Sequence, residues 1–458
     1  MAYQSVNPAT GMLIKTYADH SDADLEKALA TAHALYQSEW SKGSIQSRLD
    51  VLHRLADLIE VRAAELSLIP TREMGKLIGE SRMEVGFVAS IARFYADNSE
   101  RFLAPSVIDT VHGDAWVESH PIGVIVAVEP WNMPYYQLMR VLAPNLAIGN
   151  PVIAKHAPIV PEAAEAFEAL VRDAGAPAGA WTNLFISNEQ VSGLIADDRV
   201  EGVAFTGSER TGAILAAQAG QKIKKSVLEL GSNDVFVVLD DADVDAAVKA
   251  GAASRLWVAG QICMAAKRFI VDAKVAPAFL AKFTEVFERV VIGDPMDERT
   301  TLGPLSSIAA RDNLAGQVER AVAHGARVHL GGRAVSGPGA FYEPTILTGV
   351  RRDNPAYFEE FFGPVAQIYV VNGDEEAVAL ANDSRYGLAS SIFSTDIDRA
   401  KRVGARIETG AVWINTMTSS APELPFGGVK RSGYGRELSE LGIREFINHK
   451  LVLVGKAA

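Results

Sequence analysis

PIGVIVAVEP (121–130), NPVIAKH (150–156), TNLFIS (182–187), GVAFTG (202–207), KSVLELG (225–231) and DVFVVLD (234–240) are six short β-rich runs in close succession. Between most of them lie helical stretches such as VPEAAEAFEALVRDAG (160–175), where Gly175 reads as a helix stop. Strands alternating with helices predict an α/β fold, a parallel sheet with crossover helices. The texture returns in RFIVDAKV (268–275), RVHLGG (327–332), PVAQIYVV (364–371), ASSIFS (389–394) and GAVWIN (410–415), which predicts a second α/β unit. Upstream, Ser21 with Asp24 resembles a capping box, and Leu25, Leu29, Ala32 and Tyr36 recur at helical spacing. Ile45, Leu49, Leu52, Ala56 and Ile59 form a second stripe, and both are expected to pack on a sheet. Downstream, NHKLVLVG (448–455) reads as a strand with no helix after it and no partner nearby in sequence. It is expected to pair with another subunit, in a homodimer or homotetramer.

The bulk composition is ordinary. The chain has 458 residues, 48% apolar and 22% charged, which excludes a disordered chain, a collagen-like fibre and a disulfide miniprotein. Its net charge is −12 and it carries no long basic run, so nucleic acid and anionic membrane surfaces are not expected partners. The single cysteine, Cys263, allows no internal disulfide and fits a reducing compartment. The opening MAYQSVNPATG lacks the layout of a secretory signal, and no run of about 18 apolar residues occurs. The expected location is the cytoplasm.

A few positions can carry chemistry. Cys263, in GQICMAAK, is most simply a small buried hydrophobe. The flexible polar approach of Gly260 and Gln261, and the nearby cations Lys267 and Arg268, favour a reactive thiolate instead. Glu229, in LELG, is either a solvated strand end or a base whose pKa is raised by desolvation between Leu228 and Leu230. FTGSERTG (205–212) places a tight turn between a strand and a helix start, where backbone N–H groups face an anion. GYGRE (433–437) has two glycines and no preceding strand, and is set aside as a phosphate loop. In WNMP (131–134), Pro134 suits a first helical turn, and Asn132 is either its cap or a donor to a developing oxyanion. No His-Glu-x-x-His and no Gly-x-Ser-x-Gly is present, which disfavours a zinc hydrolase and a serine hydrolase, and no metal is expected.

Taken together the segments resemble the aldehyde dehydrogenase superfamily, from about residue 5 to the C-terminus. PWN (130–132), FTGS (205–208), LELG (228–231), GQIC (260–263), EFFGPV (360–365) and PFGGVKRSGYGRE (425–437) stand in the family's order. The resemblance implies a Rossmann-like cofactor domain (1–106 and 122–228), an α/β catalytic domain (229–430) and a β oligomerisation arm (107–121 and 440–458). It implies that Cys263 is the nucleophile and Glu229 the base for the deacylating water. The Asn132 amide and the Cys263 backbone N–H would form the oxyanion hole. For NAD or NADP it implies Lys155 on the adenosine ribose and Glu360 on the nicotinamide ribose. Phe362 would lie beside the nicotinamide, with Thr206, Gly207 and Ser208 at the pyrophosphate, and Pro130, Trp131 and Leu230 belong to the same site.

The branch most resembled is the short, bacterial-type succinate-semialdehyde dehydrogenases, which makes a small aldehyde the expected substrate. Arg140 matches a substrate-tunnel position and would pair with the distal carboxylate, helped by Ser420, while Tyr136, Trp257 and Phe426 line the tunnel. On Arg140 the plainer reading is a surface salt bridge on an amphipathic helix. Trp257 stands where some relatives carry a second Arg. Pro158 stands where NAD-selective relatives often carry Glu, so a 2′-phosphate meets no repulsion there. The segment Gly231-Ser232-Asn233-Asp234 lacks the second Gly and the Pro of many relatives. A broad-specificity aliphatic aldehyde dehydrogenase and a Cys/Glu ester or thioester hydrolase are the alternatives.

Overall fold

The computed structural model describes residues 3–456. Its α/β architecture rests on two large sheets. The first runs in the order Gly433–Tyr434, Lys225–Glu229, Val200–Thr206, Val124–Val128, Val152–Lys155, Trp181–Asn183, and only the first of these strands is antiparallel to its neighbour. The second runs in the order Arg327–Leu330, Thr345–Thr348, Val365–Val371, Arg268–Asp272, Val235–Val238, Ala389–Phe393, Ala411–Ile414. It too is parallel except at its Arg327–Leu330 edge. Central strands such as Val235–Val238 are buried along their whole length, as sheets covered on both faces require.

The sequence runs locate the strands and overrun some ends. TNLFIS contributes only the edge strand Trp181–Asn183, and Leu184, Phe185 and Ile186 continue as buried loop. The helix predicted at 160–175 spans Pro161–Asp173, with Gly175 at φ +86° beyond it. Ser21 and Asp24 form the capping box of helix Asp22–Tyr36.

One segment set aside proves structural, and one expectation needs correction. Gly433–Tyr434, in the segment set aside, is a strand on the edge of the first sheet, opposite Leu228 and Glu229. The terminal strand, Ile447–Gly455, does have a partner in its own chain: it pairs antiparallel with Gly113–Pro121 over nine residues. That partner lies so far upstream that local reading could not supply it. With Ser106–Ile108 the two make a three-stranded sheet that exposes Val107, Leu451 and Leu453.

Helix Pro134–Ile148 has every residue buried, packed against the 25-residue helix Ile78–Phe102. A charge on such a helix needs a partner inside the protein. No helix among the described residues is long and apolar enough to cross a membrane.

Candidate active site

The site is built where strand Val124–Val128 turns into helix Pro134–Ile148. Pro134 occupies the first turn, but Asn132 does not cap the helix. Glu84, reaching over from helix Ile78–Phe102, accepts the first free N–H groups, from Tyr135 at 2.9 Å and Tyr136 at 3.1 Å. Lys76 neutralises Glu84 in a fully buried pair. The Asn132 side chain is thereby released for other work. Its Nδ2 donates to the Gln261 carbonyl at 2.9 Å, and its Oδ1 accepts from Gln137 Nε2 at 3.2 Å.

Cys263 follows a strained approach. Val258 and Ala259 sit at φ +50° and +51°, a region L-residues rarely hold, and such strain gathers at functional sites. Gly260, at φ +75°, lies against the Gly363 carbonyl, 2.3 Å from where a Cβ would stand. Burial pushes the Cys263 thiol up to about 12, against the pull of Lys267 and Arg140. Of the two nearby cations only Lys267 plays the part the sequence suggested. Lys267 is bound to the carbonyls of Ile262 and Cys263 and to Glu360, 3.0 Å away. Arg268 points elsewhere, donating to the carbonyls of Asn233, Leu380 and Ala381. The resting thiol is therefore neutral and needs a base.

Two cavities meet at Cys263. One, of about 200 Å³, takes in Tyr136, Arg140, Trp257, Ser420 and Phe426. The other, of about 290 Å³, takes in Pro130, Trp131, Thr206, Gly207, Ser208, Glu229, Leu230, Glu360 and Phe362. Asn132, Gln137 and Cys263 line both. Lys155 and Pro158 line neither: the Lys155 ammonium lies 5.6 Å from the Tyr3 ring centre, and the Pro158 carbonyl accepts from Gln4 N at 3.1 Å.

Beneath the junction lies a buried charge cluster that local reading missed. Arg140 is no surface residue: Glu437 stands 2.9 Å from its Nη2, and both side chains are buried. Arg140 also donates to Gln137 Oε1 and to Thr206 Oγ1. Glu129 and Glu229 are buried too; among the described residues no hydrogen-bond partner engages the Glu229 carboxylate, and Thr206 lies beside that of Glu129. Burial, reinforced by Glu437, holds both carboxyls well above the usual range, with Arg140 pulling them down. Burial alone would lower Arg140, but Glu437 and its neighbours outweigh it and keep the guanidinium charged. The signal for Glu437 was the arginine itself, since a cation on a wholly buried helix requires a counter-ion.

The loop after Glu229 is held without the second Gly or the Pro. Ser232 bonds Asp234, whose Oδ1 accepts from Ala389 N at 3.0 Å, and Asn233 donates to the Tyr357 carbonyl. No group of three or more His, Cys, Asp or Glu among the described residues is placed to hold a metal ion.

A cysteine at the junction of two cavities, with an amide on both and a desolvated carboxylate on one, gives the two-sheet α/β scaffold a site suited to covalent catalysis. The chain belongs to the aldehyde dehydrogenase family, whose sequence model matches residues 1–452. It is 48% identical over 450 residues to the NADP(+) succinate-semialdehyde dehydrogenase of Deinococcus radiodurans, covering 98% of this chain and 94% of that protein. It is 42% identical over 448 residues to an Escherichia coli NAD(P)+ succinate semialdehyde dehydrogenase, covering 98% of this chain and 97% of the other. Its fold is similar to that of succinic semialdehyde dehydrogenase from Streptococcus pyogenes in complex with NADP+. There the TM-score is 0.98 at 48% identity, over 99% of this chain and 100% of that one.

Proposed function

We propose that this chain oxidises succinate semialdehyde to succinate with NADP or NAD, through covalent attachment of the aldehyde carbon to Cys263. The observation that carries the reading is the placement of Cys263 at the meeting of two cavities, with Asn132 on both and Glu229 on one. The similarity to enzymes of that name supports the substrate and the cofactor.

The second cavity fits the nicotinamide end of a dinucleotide. Gly231 leaves the Glu360 carboxylate the space a Cβ would take, 2.5 Å from its Oε2, so Glu360 can reach a ribose. Trp131 and Phe362, edge to face at 5.7 Å, offer the cavity an aromatic wall. When bound, the dinucleotide accepts a hydride. Thr206, Gly207 and Ser208, before helix Glu209–Gln221, would face its phosphates, and Lys155 and Pro158 the adenosine side. No carboxylate stands at Pro158 to repel a 2′-phosphate.

Glu229, with no hydrogen bond on its carboxylate, takes the thiol proton of Cys263. The thiolate attacks the aldehyde carbon, and Asn132 Nδ2 with the Cys263 N–H holds the oxyanion. After hydride loss a thioester joins the acyl group to Cys263. Glu229 passes that proton to solvent and then takes one from water, which cleaves the thioester, releases the acid and leaves Cys263 as the thiolate. The distal carboxylate is held by Arg140, Ser420 and Tyr136, whose hydroxyl donates to Ser420 Oγ at 3.1 Å, with Trp257 and Phe426 as apolar walls.

We divide the chain into a cofactor domain (1–106 and 122–228), a catalytic domain (229–430) and an arm (107–121 and 440–458), which joins subunits of a homodimer or homotetramer in the cytoplasm. The deciding experiment is a panel of semialdehydes and uncharged aldehydes with NAD and NADP, read by absorbance of the reduced nicotinamide. Succinate semialdehyde should lead. Ester cleavage with no aldehyde-dependent reduction would overturn the reading.

A further inference from the structure

Asn132 can serve an oxyanion only if its N–H, not its carbonyl oxygen, faces the reacting carbon. The network behind it decides which. An arginine has donors and no acceptor. Arg140, held by Glu437, donates to Gln137, so the oxygen of that amide must face Arg140. The Gln137 NH₂ is then turned to the other side, where it donates to Asn132 Oδ1 at 3.2 Å. With Oδ1 engaged, Asn132 Nδ2 is the group left toward the cavities. One of its hydrogens goes to the Gln261 carbonyl at 2.9 Å and the other has no acceptor among the described residues. Gln137 is buried, and it lines both cavities with Asn132 and Cys263.

We infer that Gln137 is a positioning residue. It transmits the donor-only character of Arg140 to Asn132 and so fixes the Asn132 amide with its N–H toward the thiohemiacetal oxygen. Arg140 thereby serves the chemical step as well as the substrate's charge. The inference rests on the reading of Asn132 as an oxyanion donor given above.

Gln137→Met keeps the length and apolar bulk while removing both hydrogen bonds. Gln137→Glu keeps the acceptor for Arg140 but, when ionised, turns a second acceptor on Asn132 Oδ1. The measurement is the burst rate of cofactor reduction with saturating succinate semialdehyde, beside NADP affinity by fluorescence titration. Both variants should slow the burst at least about tenfold, Gln137→Glu the more, with NADP affinity held within about twofold. In an Asn132→Ala background, Gln137→Met should change the burst by less than about twofold, since no amide remains to be oriented. A burst near the wild-type rate in both Gln137 variants, with Asn132→Ala strongly slowed, overturns the inference and leaves the reading of Asn132 standing. A full-sized further loss in the Asn132→Ala background also overturns it, because Gln137 would then act through packing. A fast Asn132→Ala enzyme overturns the reading of Asn132 itself, and the inference falls with it. If Gln137→Met fails to bind NADP, Gln137→Glu decides by the same criteria.

Discussion

Arg140 Nη2 stands 2.9 Å from Glu437 Oε2, an ion pair that joins the central helix to the C-terminal PFGGVKRSGYGRE segment beneath the proposed reaction centre. The contact is a close charge pairing rather than an aligned hydrogen bond, since Glu437 Oε2 lacks a well-directed donor. Removing one partner of a buried pair strands the other charge. Arg140→Ala leaves Glu437 beside Glu129 and Glu229 without its ion-pair partner, and should destabilise the fold by about 3–5 kcal/mol. Glu437→Gln should cost less, because Glu129 and Glu229 still surround the arginine. Urea denaturation measures both, and an Arg140→Ala protein as stable as wild type would refute the pairing as a structural element.

Glu229→Gln tests the base. The substitution preserves shape but removes the acceptor for the thiol and water protons. Steady-state turnover should collapse by at least about a hundredfold, within the range for general-base loss. One slowed burst of reduced cofactor should remain. Cys263→Ala should abolish burst and turnover while cofactor binding persists. Unchanged steady-state turnover in Glu229→Gln would remove it from the deacylation step.

Asp234 predicts a pH dependence of stability. Burial raises its carboxyl to about 7, with Lys267 and the Ser232 hydroxyl pulling it back down. Below about pH 4 the folded and unfolded chains both hold this proton. Between about 4 and 7 the folded chain keeps it and the unfolded chain does not, so stability falls as pH rises through that window. The span corresponds to an order of magnitude of about 4 kcal/mol. Glu73, raised to about 7 by burial, acts in the same direction. Asp234→Asn retains an acceptor for Ala389 N and should flatten the decline between pH 5 and 8. An equally steep decline in that variant would show that Asp234 is not its source.

The terminal strand gives a test of assembly. Leu451 and Leu453 are exposed although the strand is paired, so the arm presents an apolar surface. Truncation at about His449 should strip most of the ladder from Gly113–Pro121 and leave an open edge that invites aggregation. Chromatography with light scattering should find a smaller assembly or an insoluble chain. A truncated enzyme of unchanged size and activity would place the subunit contacts elsewhere.

What was legible in the sequence follows range of interaction. The β-rich composition of Val124–Val128 or Val235–Val238, and the Ser21 and Gly175 punctuation, are local and are read directly. Cys263, Glu229 and Asn132 stand out as candidates because each sits in a short motif of suitable chemistry, and the structure brings them to adjoining cavities. Glu84 as the cap of the central helix, Glu437 as the partner of Arg140, and Gly113–Pro121 as the partner of the terminal strand are each set by packing between remote segments. GYGRE illustrates the limit: its glycines were weighed against a phosphate loop, while its contribution is an edge strand and a buried carboxylate. Arg268 shows the same thing, since proximity in sequence to Cys263 did not decide where its charge goes, whereas Lys267 does bear on the thiol.

The last prediction concerns the substrate's charge. A semialdehyde brings a carboxylate into a cavity whose cation is already paired with Glu437. Arg140 Nη1 lies 3.4 Å from the Tyr136 hydroxyl, which itself donates to Ser420 Oγ, so the three groups form one polar face among apolar walls. A hydrogen bond to a charged group is worth about 1.5–3 kcal/mol. Ser420→Ala should therefore lower kcat/KM for succinate semialdehyde by roughly tenfold or more, and Tyr136→Phe similarly. Butanal carries no distal charge and should lose little in either variant. Arg140→Met should shift the ratio further, by roughly ten- to a hundredfold, even though the fold is weakened. The ratio of the two substrates is the quantity to measure, because general damage to the fold lowers both together and cancels. An equal fall for both aldehydes would remove Arg140, Tyr136 and Ser420 from recognition of the substrate's charge. A wild-type enzyme that prefers butanal would keep the Cys263 chemistry and discard the semialdehyde as its substrate.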